Sequence, residues 1–337
     1  MMTGIAGVGS YIPNNYMTAD QLAEISGVPE AVIREKMGIT KKPVAGPEDH
    51  TAEMGIQAAV RALEQAGISA KQLDLIIYIG EEHKEYPLWT AGIYIQNRLG
   101  ATRAWAFDAA LRCGTTMMAM KLANDLMAAD CAIRYVLLAG GYRNEDFIDY
   151  QNQRTRFMFN LASGGGALVL SRELVDNELL GNSIVTDGSF SEDVVVPVGG
   201  TKSPLTQEHL KTNRYKLDVM DPEGMKARLE AKSMQNFLFV IRDALEKSGY
   251  TQADIDYLGI LHMKRSAHDY VLQQLGLTDD QSIYLSDYGH IGQFDQIISL
   301  ELALARNKIK PGTLVVLVSA GIGYAWAAQV IKWREKE

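Results

Sequence analysis

The sequence predicts an α/β protein built from two similar halves packed together. Three observations carry this. The chain has 337 residues and is 47% hydrophobic, a globular composition with length for about two ordinary domains. Two distant segments resemble one another: "ALEQAGISAKQLDLIIYIG", Ala62 to Gly80, and "ALEKSGYTQADIDYLGILH", Ala244 to His262, 182 residues apart. A second pair follows in the same order, "YVLLAGG" at Tyr135 to Gly141 and "VVLVSAGIG" at Val315 to Gly323. Ordered matches at similar offsets point to duplication and not merely to the repeated units of any α/β chain. The first half, residues 1–170, carries a candidate nucleophile. The second, residues 171–337, carries the histidines of interest.

Each half reads the same way. Ala-Leu-Glu ends a helix, Gly67 or Gly249 permits the left-handed stop, and a short polar turn follows. Leu73 to Ile79 and Ile255 to Leu261 are compact apolar runs, as in strands covered on both faces. In the first half an apolar strand, Trp105 to Phe107, runs through "DAALRCG" into a helix starting near Cys113. Its counterpart in the second half is the helix after His290. Cys113 and His290 therefore take similar places, as do Glu81 and His262, each just after a strand. Strand ends and the helix starts facing them are where α/β folds place chemistry. A pseudo-twofold axis would bring these four groups into one site.

Other functions are disfavoured. A net charge of −8 gives no general affinity for nucleic acid or anionic membrane. The N-terminus "MMTGIAGVGSYIP" lacks the charged leader and long apolar stretch of a signal peptide, and no window is long and apolar enough to span a membrane. The expected location is cytoplasmic. On one helix, Cys113 and Cys131 would lie ~27 Å apart, beyond disulfide reach. No CxxC or HExxH pattern suggests a metal site.

The sequence resembles the thiolase superfamily, in particular its 3-oxoacyl-acyl-carrier-protein synthase III branch and the related hydroxymethylglutaryl-CoA synthases. The resemblance runs through nearly the whole chain. It is carried by "GVGSYIP", Gly38-Ile39 in "REKMGITKK", "DLIIYIGEE", "AFDAALRCGTT", "ASGGGALVL", "LHMKRSAHD", "DYGHIGQFD" and "KIKPGTLVVLVSAGIGYAWAAQVIKW", in order. It implies a thiolase-like fold with layers α/β/α/β/α. It also implies a cytoplasmic homodimer that uses acyl-CoA or acyl-carrier-protein thioesters and needs no cofactor. Cys113 would accept an acyl group, and a second thioester would then supply the carbon nucleophile of a Claisen condensation. His262 would donate to the thioester carbonyl or handle the proton of the nucleophile. The oxyanion hole would use the backbone N–H groups of Cys113 and of Ile322 in "GIG".

The chain departs from the synthase III pattern at several positions. His290 stands where asparagine is usual; it is bulkier, and its charge depends on pH. Glu81, 32 residues before Cys113, stands where a hydroxyl residue is usual and matches the base of the hydroxymethylglutaryl-CoA synthases, although Glu81 to Glu85 also reads as a solvated charged run. Val32 replaces the tryptophan that flanks the CoA nucleotide, and Lys36 replaces an arginine that could still meet phosphate. Arg265 replaces an asparagine and would suit an acidic substrate group. Three routes therefore stay open. They are condensation of the synthase III type, non-decarboxylative condensation or acyl transfer to an alcohol or amine, and a non-catalytic subunit of a hetero-oligomer.

Overall fold

The computed structural model describes residues 2–174 and 177–333. The first half runs β1 (Gly4–Tyr11), β2 (Asn15–Thr18), α1 (Ala19–Ser26), β3 (Lys41–Val44), α2 (Thr51–Ala66), β4 (Leu75–Tyr78), α3 (Ala91–Leu99), β5 (Trp105–Asp108), α4 (Thr115–Ala129), β6 (Tyr135–Tyr142) and β7 (Gly164–Ser171). The second runs β8 (Asn177–Thr186), β9 (Val194–Val195), α5 (Gln207–Lys211), β10 (Asp218–Val219), α6 (Pro222–Lys247), β11 (Tyr257–Ile260), α7 (Arg265–Leu275), α8 (Asp295–Ala305), β12 (Leu314–Gly321) and β13 (Ala325–Trp333). The helices before β4 and β11 end as expected, on left-handed glycines: Gly67 has φ 68° and Gly249 φ 75°. The helix after Cys113 stops at Ala129, so Cys131 lies beyond it, exposed.

Nine strands form one continuous sheet in the order β11-β12-β13-β8-β1-β7-β6-β4-β5. The order is mirrored about the β8–β1 junction. Outward from β1, the neighbours β7 and β6 are each antiparallel to the strand before, and β4 joins parallel to β6. Outward from β8, β13 and β12 are likewise antiparallel and β11 joins parallel. The halves differ at the rim: β5 extends the first half, whereas residues 282–285, after α7, form no strand.

Helix placement makes the layers. Helix α2 covers β1, β7 and β6, and α6 covers β8, β13 and β12. Helices α4 and α8 each touch strands of both halves and so lie between them. A Cβ on Gly7 would come within 2.0 Å of the Ala62 carbonyl oxygen, which explains the glycine of "GVG" under α2. Three apolar cores follow: one under α2 and α3, one under α6 and α7, and a large central one. Met117 and Met120 of "MMAM" are fully buried in the central core, which fits methionine as flexible filling. The middle helices meet at their N-termini, where Thr116 Oγ1 donates to the Gln293 carbonyl at 2.6 Å. That meeting point holds the site.

Candidate active site

Cys113 sits in the tight passage from β5 into α4. Thr115 Oγ1 accepts from Leu111 N–H at 2.8 Å and donates to the Arg112 carbonyl at 2.5 Å. Arg112 is left-handed, φ 49°, a conformation that costs a non-glycine residue about 1–2 kcal/mol. Two ion pairs brace its side chain, to Glu81 Oε2 at 3.1 Å and Glu82 Oε2 at 3.3 Å. The turn delivers Cys113, 7% exposed, to the mouth of α4. From the other half, Ser319 Oγ donates to the Cys113 carbonyl at 2.7 Å. A Cβ on Gly321 would come within 2.7 Å of Cys113 N. The "GIG" tip therefore packs against the nucleophile's backbone, with Ile322 half-buried beside it.

His290 faces the sulfur: its Nε2 lies 3.2 Å from Cys113 Sγ. Its backbone is pinned on both sides, N–H to the Asn160 carbonyl at 2.8 Å and carbonyl to Ala162 N–H at 2.9 Å. Its Nδ1 lies 2.6 Å from Asp295 Oδ2. Asp295 opens α8 and is fully buried. Its other oxygen accepts from Ile291 N–H at 2.7 Å. Burial by itself pushes the His290 pKa down. The Asp295 carboxylate and then the Cys113 sulfur push it up and prevail, so the imidazole is held well above its ordinary value. Two unit charges ~4 Å apart interact by about 4 kcal/mol at an effective dielectric of 20. A helix N-terminus contributes roughly 0.3–1 kcal/mol. The histidine is thus the charged group nearest the sulfur, 3.2 Å away.

His262, just after β11, is buried against the same carboxylate oxygen. Its backbone N–H donates to Asp295 Oδ2 at 2.7 Å. Its ring turns elsewhere: Nε2 donates to the Gly38 carbonyl at 3.2 Å, and Nδ1 accepts from Asn160 Nδ2 at 3.0 Å. Burial dominates and pushes its pKa down to about 4. It is a neutral imidazole with both nitrogens engaged.

Glu81 is 4% exposed, so it does not belong to the solvated run; its neighbour Glu82, 70% exposed at its side chain, does. The end of β4 turns Glu81 inward, where Tyr78 Oη donates to its carbonyl at 3.0 Å. The structure thus joins Cys113 and His290 directly, His262 through Asp295, and Glu81 through Arg112. Arg265 does not join them. It lies at the start of α7, bound to Asp269 at 2.7 Å and to Asp279 at 2.8 Å, with its guanidinium over Tyr284. Lys36 is exposed on a π-helical turn, Val32–Met37, capped by Gly38. Asp295 and Asn160 have no counterpart among the sequence-derived candidates. Asp295 lies inside "DYGHIGQFD", where an acid at a helix start reads as an ordinary first-turn charge. Among the described residues no His, Cys, Asp and Glu group is arranged to hold a metal ion. No helix among them is long and apolar enough to cross a membrane.

Comparison with known proteins gives consistent matches. Residues 107–188 match the family model for 3-oxoacyl-[acyl-carrier-protein] synthase III, and residues 245–333 match the model for its C-terminal part. The β-ketoacyl-[acyl-carrier-protein] synthase III of Caldanaerobacter subterraneus subsp. tengcongensis is 27% identical over 331 residues, 98% of this chain and 97% of the relative. The fold is similar to the crystal structure of the 3-oxoacyl-[acyl-carrier-protein] synthase III of Aquifex aeolicus, with TM-score 0.85, 22% identity and coverage of 98% of this chain and 100% of that one. It is also similar to the priming β-ketosynthase of the R1128 polyketide pathway, with TM-score 0.85, 20% identity and coverage of 99% and 97%.

Proposed function

The chain belongs to the thiolase superfamily, on its 3-oxoacyl-[acyl-carrier-protein] synthase III-like branch, and from that premise we propose how it works as a cysteine-dependent acyltransferase of the condensing type. Cys113 attacks an acyl thioester and carries the acyl group. The second thioester then supplies the carbon that attacks the acyl-enzyme. One observation carries the reading: Cys113 Sγ lies 3.2 Å from His290 Nε2, and His290 Nδ1 lies 2.6 Å from Asp295. An imidazolium beside sulfur favours the thiolate, the form that attacks.

The other residues take supporting roles. The Cys113 N–H and the backbone at Ile322 receive the developing oxyanion, a backbone task that needs no particular side chain. Glu81 holds Arg112, and through it the turn that presents Cys113. His262 packs and orients the Asp295 carboxylate. In this reading Lys36, exposed beside the Gly38 cap, meets the phosphates of a CoA or carrier-protein donor. The thioester brings its own leaving group, so the reaction calls for no cofactor. We place a homodimer contact at the open edge of β5. Trp105 is 50% exposed there, with Ile93 on the adjoining α3 at 53%, and an unpaired, apolar strand edge is a natural pairing surface.

Intact-protein mass spectrometry after incubation with acyl-CoA donors of increasing chain length tests this reading. One acyl adduct is expected, absent from Cys113→Ala. No adduct from any donor would remove the acyl-enzyme.

A further inference from the structure

Asp295 does more than raise the pKa of His290. By taking Nδ1–H it fixes the tautomer, so a neutral His290 presents a bare lone pair at Nε2, the atom facing Cys113 Sγ. Such a nitrogen accepts a proton; it cannot donate to an enolate oxygen. Decarboxylation of a malonyl thioester releases CO₂ and no proton, so it needs donors and no base. A hydroxyl nucleophile has the opposite need, because its O–H must lose a proton as oxygen attacks. The other imidazole is not placed to compete, since His262 is engaged by Gly38 and Asn160.

We infer that the acyl-enzyme on Cys113 also transfers its acyl group to a hydroxyl-bearing acceptor, with His290 as general base. The inference rests on the acyl-enzyme reading above. The proton balance closes. The Cys113 proton passes to His290 Nε2, 3.2 Å from the sulfur, as the sulfur becomes the nucleophile. Sulfur attacks the donor carbonyl, the donor's C–S bond breaks, and the departing thiolate takes the proton from His290 Nε2. The acyl-enzyme therefore carries a neutral His290. Acylation also takes away the free Cys113 sulfur, one of the two groups that raise the pKa of the ring. The acceptor oxygen then attacks, His290 takes its proton, and the ester leaves as the Cys113 thiolate is released beside a restored imidazolium. An asparagine at position 290 could perform neither proton step.

The test uses wild-type protein loaded with acyl-CoA and freed of excess donor. The adduct on Cys113 is followed by mass spectrometry after adding 1-propanol, glycerol, 1-propylamine, malonyl-CoA or buffer alone. The expected result is ester formation from 1-propanol or glycerol at least 10-fold faster than loss in buffer. In His290→Asn protein, loaded by prolonged incubation, alcohol discharge falls by at least 100-fold, within the range that general bases contribute. Failure to load Cys113 removes the condensing reading and this inference with it. An adduct discharged only by malonyl-CoA or only by the amine overturns this inference and leaves the acyl-enzyme standing. Alcohol discharge unchanged in His290→Asn overturns the role of His290.

Discussion

Two buried histidines flank one carboxylate and end up in opposite states. His290 gives Asp295 its ring nitrogen and is held well above the ordinary imidazole pKa. His262 gives Asp295 only its backbone N–H and is pushed down to about 4. Both are desolvated, so burial does not decide between them. What decides is whether the ring itself faces negative partners: Asp295 and sulfur for one, a neutral carbonyl and an amide for the other. For the His262 ring, which makes no hydrogen bond to Asp295, the upward pull of that carboxylate is smaller than the cost of burial. In the reaction proposed above, His290 takes the chemical role and His262 the architectural one, within a single hydrogen-bonded unit.

The largest expected effect comes from removing the charge that separates them. Asp295→Asn should lower the rate of Cys113 acylation by about 10³–10⁴-fold, the scale seen when the orienting carboxylate of a triad is neutralised. Stopped-flow acylation in wild type and variant checks this; a loss under tenfold would make Asp295 architectural as well. His262→Gln should cost far less, about tenfold or below, because no His262 ring atom is directed at sulfur. Equal losses in the two variants would erase the distinction between the histidines.

Glu81 offers a third, smaller contrast. Its carboxylate is committed to Arg112, so Glu81→Gln should slow acylation several-fold by loosening the left-handed turn before Cys113. Arg112→Gly, which tolerates positive φ without the ion pair, should retain more acylation than Arg112→Ala. The same order of rates with the two substitutions reversed would refute the turn as the reason. Because Glu81 Oε2 faces Arg112, the hydroxymethylglutaryl-CoA synthase-like reading, in which Glu81 removes an α-proton, would use Oε1 or an opened pair.

The smallest effect is on stability against pH. His262 has a folded pKa of about 4 against an ordinary 6.5. As pH falls from 6.5 towards 4, the unfolded chain binds a proton that the folded chain refuses. Stability is therefore lost on acidification across that window, with a slope of at most about 1.4 kcal/mol per pH unit from this group. His268, also buried and pushed down to about 4, adds to the slope. His290 acts in the other direction: its stabilisation is present below the ordinary imidazole pKa and is lost as pH rises through its raised folded value. Urea titrations between pH 4 and 7 should show a shallower acid loss in His262→Gln; an unchanged slope would place the charge elsewhere.

Much of this was legible in the sequence for physical reasons. Apolar runs and capping glycines mark β4, β6, β11 and β12, and their repetition places Cys113 opposite His290. Long-range pairing of side chains left weaker traces. Asp295 looks like any first-turn acid until α8 swings it under both histidines. The strain at Arg112 carries no glycine to announce it. Glu81 sits among charged neighbours, and only the path of the chain past Tyr78 turns it inward while Glu82 faces water. Arg265 satisfies itself with acids on its own helix and on the following turn, pairings that sequence proximity permits and does not require.

Cys113, His290 and Asp295 should behave as one charge-coupled unit. The most direct measurement is ¹⁵N NMR of histidine-labelled protein, following His290 from pH 5 to 9 with wild-type Cys113 and with Cys113→Ala. An imidazolium should persist well above pH 6.5 in the wild type, with its midpoint moved down when the sulfur is removed. A His290 that titrates at or below the ordinary value, or whose midpoint ignores the sulfur, would contradict it.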